Sequence, residues 1–444
     1  MSPEHQVHLQ QLISLYQEAL SRSGHDAVMV AAGPARDHFR DDQGPRFKPN
    51  AYFSHWVAPE FAQPGALLLV GGTTRPKLLL QSSDDYWHAP PPIPEHLETV
   101  LDLEVCSSAD ALLTRANQLT GTHNRVAFIG EHSGNNEALG EDNPPALLNF
   151  LDWHRAQKTP FELELMREAS RLGALGHQAA ACSFFAGESE FAIHCAYLAA
   201  SMQNESALPY GNIVALNTHG AYLHYEHQER SVPNPHLSLL IDAGAEYQGY
   251  VSDITRTYVH DQPDHQAFAD LIAAMRTLQD NVIAEVAPER MFPDLQSYMH
   301  EQLADVLTAS GVLQCSREEA YEEGYTRKFC PHGLGHLLGL QVHDLGGHLK
   351  NAQGEVQPPS PLHPSLRFTR EITPEMVFTI EPGLYFIDSL LAELKAEAAP
   401  VNWDLVEFLR PYGGVRIEDN VRVLADGGVE NLTRDAFAAV EAAG

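Results

Sequence analysis

The chain opens with a polar stretch, His5–Ser21, whose apolar positions recur at helical spacing and predict an amphipathic helix. Short apolar runs follow at Ala27–Ala32, Ala66–Val70, Lys77–Gln81 and Arg125–Ile129, of a length that suits strands. Helical stretches near Ala109–Gln118 and Pro145–Trp153 lie among them, and the alternation predicts a small α/β domain over 1–157. A linker falls near Ala156–Thr159. There Thr159-Pro-Phe-Glu162 has the form of a capping box with Pro in the first turn. It starts a long apolar-faced helix that runs to about Phe185 and stops at Gly187, and a second helix ends near Gln203. A β-rich segment, Leu237–Tyr258, is followed by helices near His265–Val286 and Pro293–Ala309, then by β-branched runs at Met376–Ile380 and Gly413–Val423. Two helices before a sheet segment, twice over, predict a duplicated α+β layout for 158–444, although no repeat in the sequence itself marks it. Pro-rich Ala89–Pro94 and Pro358–Pro364 read as loops or rims.

Composition narrows the function classes. At 444 residues the chain suits two domains. Its net charge of −31, from 28 basic against 59 acidic residues, argues against nucleic acid and against an anionic membrane surface as partners. The five cysteines are odd in number and scattered without CxxC spacing, as expected of free thiols in a reducing cytoplasm. Met-Ser-Pro-Glu-His lacks the basic and apolar regions of a secretory signal, and no run of about 18 apolar residues spans a bilayer.

Chemistry concentrates in Asp242, Asp253, His336, Glu381 and Glu418, each within a glycine-marked segment. Four carboxylates and one imidazole exceed what one ordinary zinc site takes and suit two divalent cations with bridging carboxylates. Leu237–Tyr258 reads as an antiparallel hairpin turning near Gly244 and Gly249. With the turn centred between Tyr247 and Gln248, Asp242 and Asp253 stand directly opposite on one face. In Phe329–Asp344, three histidines lie among glycines that argue against a helix, so the His332/His336 spacing is not the zinc-protease pair. Glu381 ends an apolar strand at Glu381-Pro-Gly, and Arg416 and Glu418 share a face of another. An inward Glu on such a strand is costly without a cation or hydrogen bonds. Sulfur is absent from the set, which favours hard or borderline ions.

The ordered segments across Lys158–Val423 resemble the creatinase/methionine aminopeptidase ("pita-bread") superfamily, and within it the bacterial Xaa-Pro dipeptidases (prolidases) and related organophosphorus acid anhydrolases. Phe39-Arg-Asp-Asp42 and Phe47-Lys-Pro-Asn50 extend the likeness to the N-terminal third. Leu337 departs from the residue that relatives carry there, which the pocket wall would feel. The resemblance implies a pita-bread catalytic domain, a homodimer and two divalent ions per subunit, manganese first and cobalt, iron or zinc as substitutes. It implies hydrolysis of Xaa-Pro dipeptides by a metal-bridging hydroxide. Aminopeptidase action on longer peptides, phosphotriester hydrolysis and a non-catalytic peptide-binding scaffold remain as alternatives. It assigns all five ligands as above, with Glu381 also as proton shuttle and His343 and His332 as donors to the developing oxyanion. His224 and Arg416 then face substrate, Arg416 as a carboxylate clamp, while Tyr210 and Trp87 shape the proline pocket, Trp87 from a neighbouring subunit.

Overall fold

The computed structural model describes residues 1–443 except 72–74, 83–88, 90–91 and 133–138. Trp87 therefore lies outside the described residues. The chain forms two compact units.

The first comprises Met1–Arg155, Thr159–Glu164 and Asn351–Val356. Its elements are α1 (Pro3–Ser23), β1 (Ala27–Ala31), α2 (Ala51–Ser54), β2 (Leu67–Gly71) and β3 (Lys77–Gln81). Then follow β4 (Asp102–Cys106), α3 (Ala109–Thr120), β5 (Val126–Ile129), β6 (Glu141–Asp142) and α4 (Pro145–Arg155). The strands form one mixed sheet in the order β4-β3-β2-β1-β5-β6. The period of two along β1 divides its side chains between two cores. Val28 and Val30 meet Leu9, Leu12 and Tyr16 of α1, whereas Ala27, Met29 and Ala31 meet Leu112 and Ala116 of α3. Helices thus cover both faces. Strand β4 escapes sequence reading because Asp102-Leu-Glu-Val-Cys106 is a partly exposed edge with charged alternate positions.

The second unit comprises Ala156–Lys158, Leu165–Lys350 and Gln357–Gly444. It carries α5 (Pro160–Phe185, from Leu165 on), α6 (Glu190–Ser201), β7 (Ile213–Leu216) and β8 (Ser238–Asp242). Next come β9 (Glu246–Tyr247), β10 (Tyr250–Val251), β11 (Thr255–Val259), α7 (Gln266–Ala284) and α8 (Phe292–Ala309). After α9 (Arg317–Glu322) and α10 (Tyr325–Phe329) lie β12 (Val377–Ile380), β13 (Gly383–Tyr385), α11 (Asp388–Ala396) and α12 (Trp403–Leu409). The chain ends with β14 (Gly414–Arg416), β15 (Asp419–Val423), β16 (Val429–Asn431) and α13 (Leu432–Ala443).

The expected duplication is present: α5 and α6 precede the sheet β11-β8-β7, and α7 and α8 precede the sheet β12-β15-β16. Each helix pair buries apolar residues against its own sheet. Phe184, Ile193 and Tyr197 pack on Leu239 and Ile241 of β8, while Phe268, Leu271, Phe292 and Leu295 join Phe378 and Ile380 of β12 in one core. By the period of two, Leu240 and Asp242, and likewise Thr379, fall on the faces turned away from those helices. Apolar burial against the helices thereby commits the opposite faces to polar chemistry.

His177 on α5 and His300 on α8 are fully buried, and burial pushes each imidazole down to about 3. An unfolded chain takes up those protons below about pH 6.5, whereas the native one does not. Stability therefore rises with pH through this range, by up to about 1.4 kcal/mol per pH unit for each histidine. His300 stacks on His363 with centroids 4.7 Å apart, so His300→Phe keeps the stack and removes one titrating group. Urea midpoints measured between pH 4.5 and 6.5 are expected to fall less steeply with acid in that variant; an unchanged slope contradicts the assignment.

Candidate metal centre and substrate cleft

The hairpin turn sits at Gln248-Gly249, both at positive φ (51° and 90°), as a two-residue type I′ turn demands. This is one residue beyond the expected centre, and it moves the register by two. Asp242 pairs with Thr255, not with Asp253. A shift of two keeps the face, so both carboxylates still converge. Tyr210 shows how closely: its hydroxyl lies 2.7 Å from Asp242 Oδ1 and 2.5 Å from Asp253 Oδ1. One O–H proton serves two carboxylates. Gly244 permits this approach, because a Cβ there would lie 2.1 Å from the Ser252 carbonyl oxygen and 2.9 Å from the Tyr210 ring. Asn420 secures the Asp253 backbone from β15, accepting from its N–H at 3.0 Å and donating to its carbonyl.

His336 reaches the cluster from a glycine-rich loop laid along β12. A Cβ on Gly335 would lie 2.0 Å from the Thr379 carbonyl oxygen, so only glycine admits this packing. The His336 backbone N–H donates to Thr379 Oγ1 at 3.1 Å, and Nδ1 donates to the Leu337 carbonyl at 3.1 Å. Nε2 is left facing Asp253 Oδ2 at 3.3 Å and Glu381 Oε1 at 3.7 Å. A ligating imidazole whose other nitrogen donates to a backbone carbonyl is the usual arrangement at a metal. Leu337 itself is buried in the core and bridges to Phe378, and it is not among the residues lining the cleft, which corrects the expectation that it shapes the wall.

Glu381 follows the end of β12, as expected, anchored by its N–H to the Leu334 carbonyl at 2.8 Å. Arg416 and Glu418 fall not on one strand but at a break, Arg416 ending β14 and Glu418 preceding β15. Glu418 Oε2 accepts from Thr255 Oγ1 at 2.8 Å. Donor atoms of Asp253, His336 and Glu418 lie within 4.8 Å of one another, and all three side chains are buried.

The electrostatics of this set call for a cation. Burial and the charges of Asp253, Glu381 and Asp242 push the Glu418 carboxyl well above its ordinary range. Burial likewise raises Asp242, against the pull of Arg416, and drives Glu381 up to about 7. Burial also works against the Asp253 charge, but the neighbouring His336 prevails and holds it low. Divalent ions would relieve this crowding, and oxygen-rich ligation with one imidazole suits hard or borderline metals. The residues present fit the ligand set assigned from sequence.

Around them lies a cleft of about 300 Å³ that Leu223, His224, His332, His343, Ser365, Arg367, Glu381 and Arg416 help to line. His343 packs edge-on to His336, with centroids 4.4 Å apart. Burial and the charge of His336 lower it to about 4. His332 is also lowered to about 4, by burial and then by Arg416, and its Nε2 lies 2.8 Å from the Tyr385 hydroxyl. Both imidazoles are neutral at pH 7. Glu190, fully buried on α6, organises the loop that carries His224: it accepts from Leu216 N, His219 Nδ1, Tyr225 Oη and Glu229 N at 2.7–2.9 Å.

Two placements differ from the sequence reading. Arg416 is engaged within the site, donating to Asp242 Oδ2 at 2.8 Å, Tyr385 Oη at 3.0 Å and Thr255 Oγ1 at 3.3 Å. Tyr210 stands behind the aspartates and is not among the cleft-lining residues. Sequence reasoning also missed residues that the fold brings in. Tyr385 was accessible in principle, since a period of two from Glu381 points to it. Arg367 belongs to no recognisable motif; it lies beyond the Pro358–Pro364 loop, exposed in the cleft and without an ion pair among the described residues.

A duplicated α+β unit whose inner faces hold four carboxylates and one imidazole defines a metal-dependent hydrolase. The profile of metallopeptidase family M24 matches residues 164–425, and that of the Xaa-Pro dipeptidase N-terminal domain matches residues 4–153. The chain belongs to metallopeptidase family M24. It is similar to an Xaa-Pro dipeptidase of Pseudoalteromonas atlantica, at 43% identity over 434 residues covering 96% of this chain and 97% of the relative. It is likewise similar to an Xaa-Pro dipeptidase of Aeromonas hydrophila, at 43% identity over 98% of this chain and 100% of the relative. Among solved structures, proline aminopeptidase P II from Yersinia pestis superposes with a TM-score of 0.72 at 23% identity, covering 100% of both chains. That likeness carries the pita-bread fold alone.

Proposed function

We propose that the protein hydrolyses Xaa-Pro dipeptides with water activated by two divalent cations held by Asp242, Asp253, His336, Glu381 and Glu418. The observation that carries this reading is the full set of five donors converging beside a small cleft in a chain whose relatives over its whole length are Xaa-Pro dipeptidases. Bound divalent cations supply an activated water at neutral pH and polarise the scissile carbonyl. The chain's own residues do the rest. Glu381, beside the cluster and open to the cleft, passes the proton from water to the leaving nitrogen. His343, neutral at pH 7, donates to the developing oxyanion. His332, expected to share that role, gives its one N–H to the Gly333 carbonyl at 2.8 Å and accepts from Tyr385, so it positions Tyr385 beside the cleft. His224, which also lines the cleft, faces the substrate.

Arg416 is held by Asp242, Tyr385 and Thr255, so the free guanidinium of Arg367 is the better candidate for the substrate carboxylate. That makes Arg416 a residue that orients Asp242. Manganese as the resident ion, a homodimer, a cytoplasmic location and a side activity on phosphotriesters come with the proposal from the family resemblance. The described residues include no helix long and apolar enough to cross a membrane.

The experiment compares Ala-Pro with Ala-Pro-Ala on the manganese-loaded enzyme. Preference for the dipeptide supports a carboxylate-clamping cleft; preference for the tripeptide makes the protein an aminopeptidase. Glu190→Gln tests the His224 loop. The amide turns donors toward donors, and kcat/KM on Ala-Pro is expected to fall roughly ten- to a hundredfold through misplacement of the loop. Metal content should stay unchanged in that variant, and full activity would remove the loop from the site.

A further inference from the structure

A second cluster of metal-ligating side chains lies wholly within the first unit. His8 on α1, His55 after α2 and Glu162 in the first turn of α5 are each buried, with donor atoms within 4.8 Å of one another. Among the described residues, only this group and the catalytic one meet that condition. The geometry points to a structural metal site that takes one zinc-like divalent ion and ties α1, the segment after α2 and the start of α5 together.

The donor orientations support it. His8 Nε2 lies 3.1 Å from the His55 carbonyl oxygen. A carbonyl can only accept, so the proton sits on Nε2 and Nδ1 presents its lone pair. That Nδ1 stands 3.8 Å from Glu162 Oε2, and His55 Nε2 stands 3.2 Å from Glu162 Oε1. Zinc bonds of about 2.0–2.2 Å in a tetrahedron separate the ligands by roughly 3.3–3.6 Å, close to both spacings. The ring nitrogen not used for ligation donates to a backbone carbonyl in His8, as it does in His336 at the catalytic centre. The Thr159 hydroxyl donates to His8 Nδ1 at 2.9 Å, a bond that an ion would displace, leaving the fourth position to a water. Two imidazoles and one carboxylate form a borderline donor set that selects zinc over calcium or magnesium. His5, stacked on Phe161 at 4.1 Å with His96 5.9 Å away, places two more imidazoles, both only partly buried, on the approach from solvent.

The competing account is a metal-free cap, since Glu162 Oε2 also accepts from Thr159 N at 2.7 Å in the capping box. Glu162→Gln separates the two, because glutamine serves the box equally well but gives up the charged ligand. Full-length protein is stripped of metal, dialysed against zinc and analysed for bound metal. Wild type is expected to retain one more zinc per chain than Glu162→Gln. Its cobalt-substituted form should show a tetrahedral visible absorption that the variant lacks. Equal zinc content and identical cobalt spectra overturn the site. If Glu162→Gln does not fold, His55→Gln is read the same way. The readout is metal content, so its failure leaves the catalytic proposal standing, and the converse holds.

Discussion

Asp253→Asn is expected to lower kcat for Ala-Pro on the order of a thousandfold or more while leaving the fold intact. Metal ions contribute several kcal/mol of transition-state stabilisation, and each 1.36 kcal/mol is a factor of ten. Asn keeps the shape of Asp253 and its bond from Tyr210, so packing is preserved. What it removes is a metal-ligating carboxylate, whose charge His336 holds in place in the absence of cations. The unfolding midpoint of the metal-free variant should therefore not exceed that of the metal-free parent, while the native circular dichroism is kept. Steady-state kinetics and circular dichroism check both halves. Activity within tenfold of the parent would remove Asp253 from the metal set.

Arg367→Met is expected to lower kcat/KM for Ala-Pro by about 30- to 150-fold. Losing one partner of a charge-assisted pair costs about 2–3 kcal/mol at the lower end of its range, and Arg367 is exposed enough to belong there. The discriminating substrate is Ala-prolinamide, which has no carboxylate to clamp. The parent should handle it poorly and the variant no worse. Arg416→Met should instead weaken metal binding, because it frees Asp242 from its 2.8 Å guanidinium contact. Equal losses on both substrates in Arg367→Met would contradict the clamp assignment.

The elements of this fold were legible where burial sets a period. Strand β3 spans the expected Lys77–Gln81, and α5 ends at the expected Phe185, stopped by Gly187 at φ 82°. The five donors were legible because charged residues in apolar, glycine-marked segments need a physical reason to be there. The hairpin register was less so. Both Tyr247-Gln248 and Gln248-Gly249 are plausible turn centres by spacing, and the choice follows from Gly249 meeting the positive φ of a type I′ turn. Arg416 and Arg367 could not be told apart in sequence. Which guanidinium is engaged and which is free depends on contacts with Asp242 and Tyr385, residues far away along the chain. The short helices α11 and α12 passed unread, since seven to nine residues hold too few turns for their periodicity to show.

The most direct measurement is Ala-Pro cleavage by chelator-stripped protein before and after manganese is restored, with Ala-Ala as control. The five-donor centre predicts no cleavage without metal, recovery with manganese and no action on Ala-Ala. Cleavage that persists in fully stripped protein, or that ignores the proline, would contradict it.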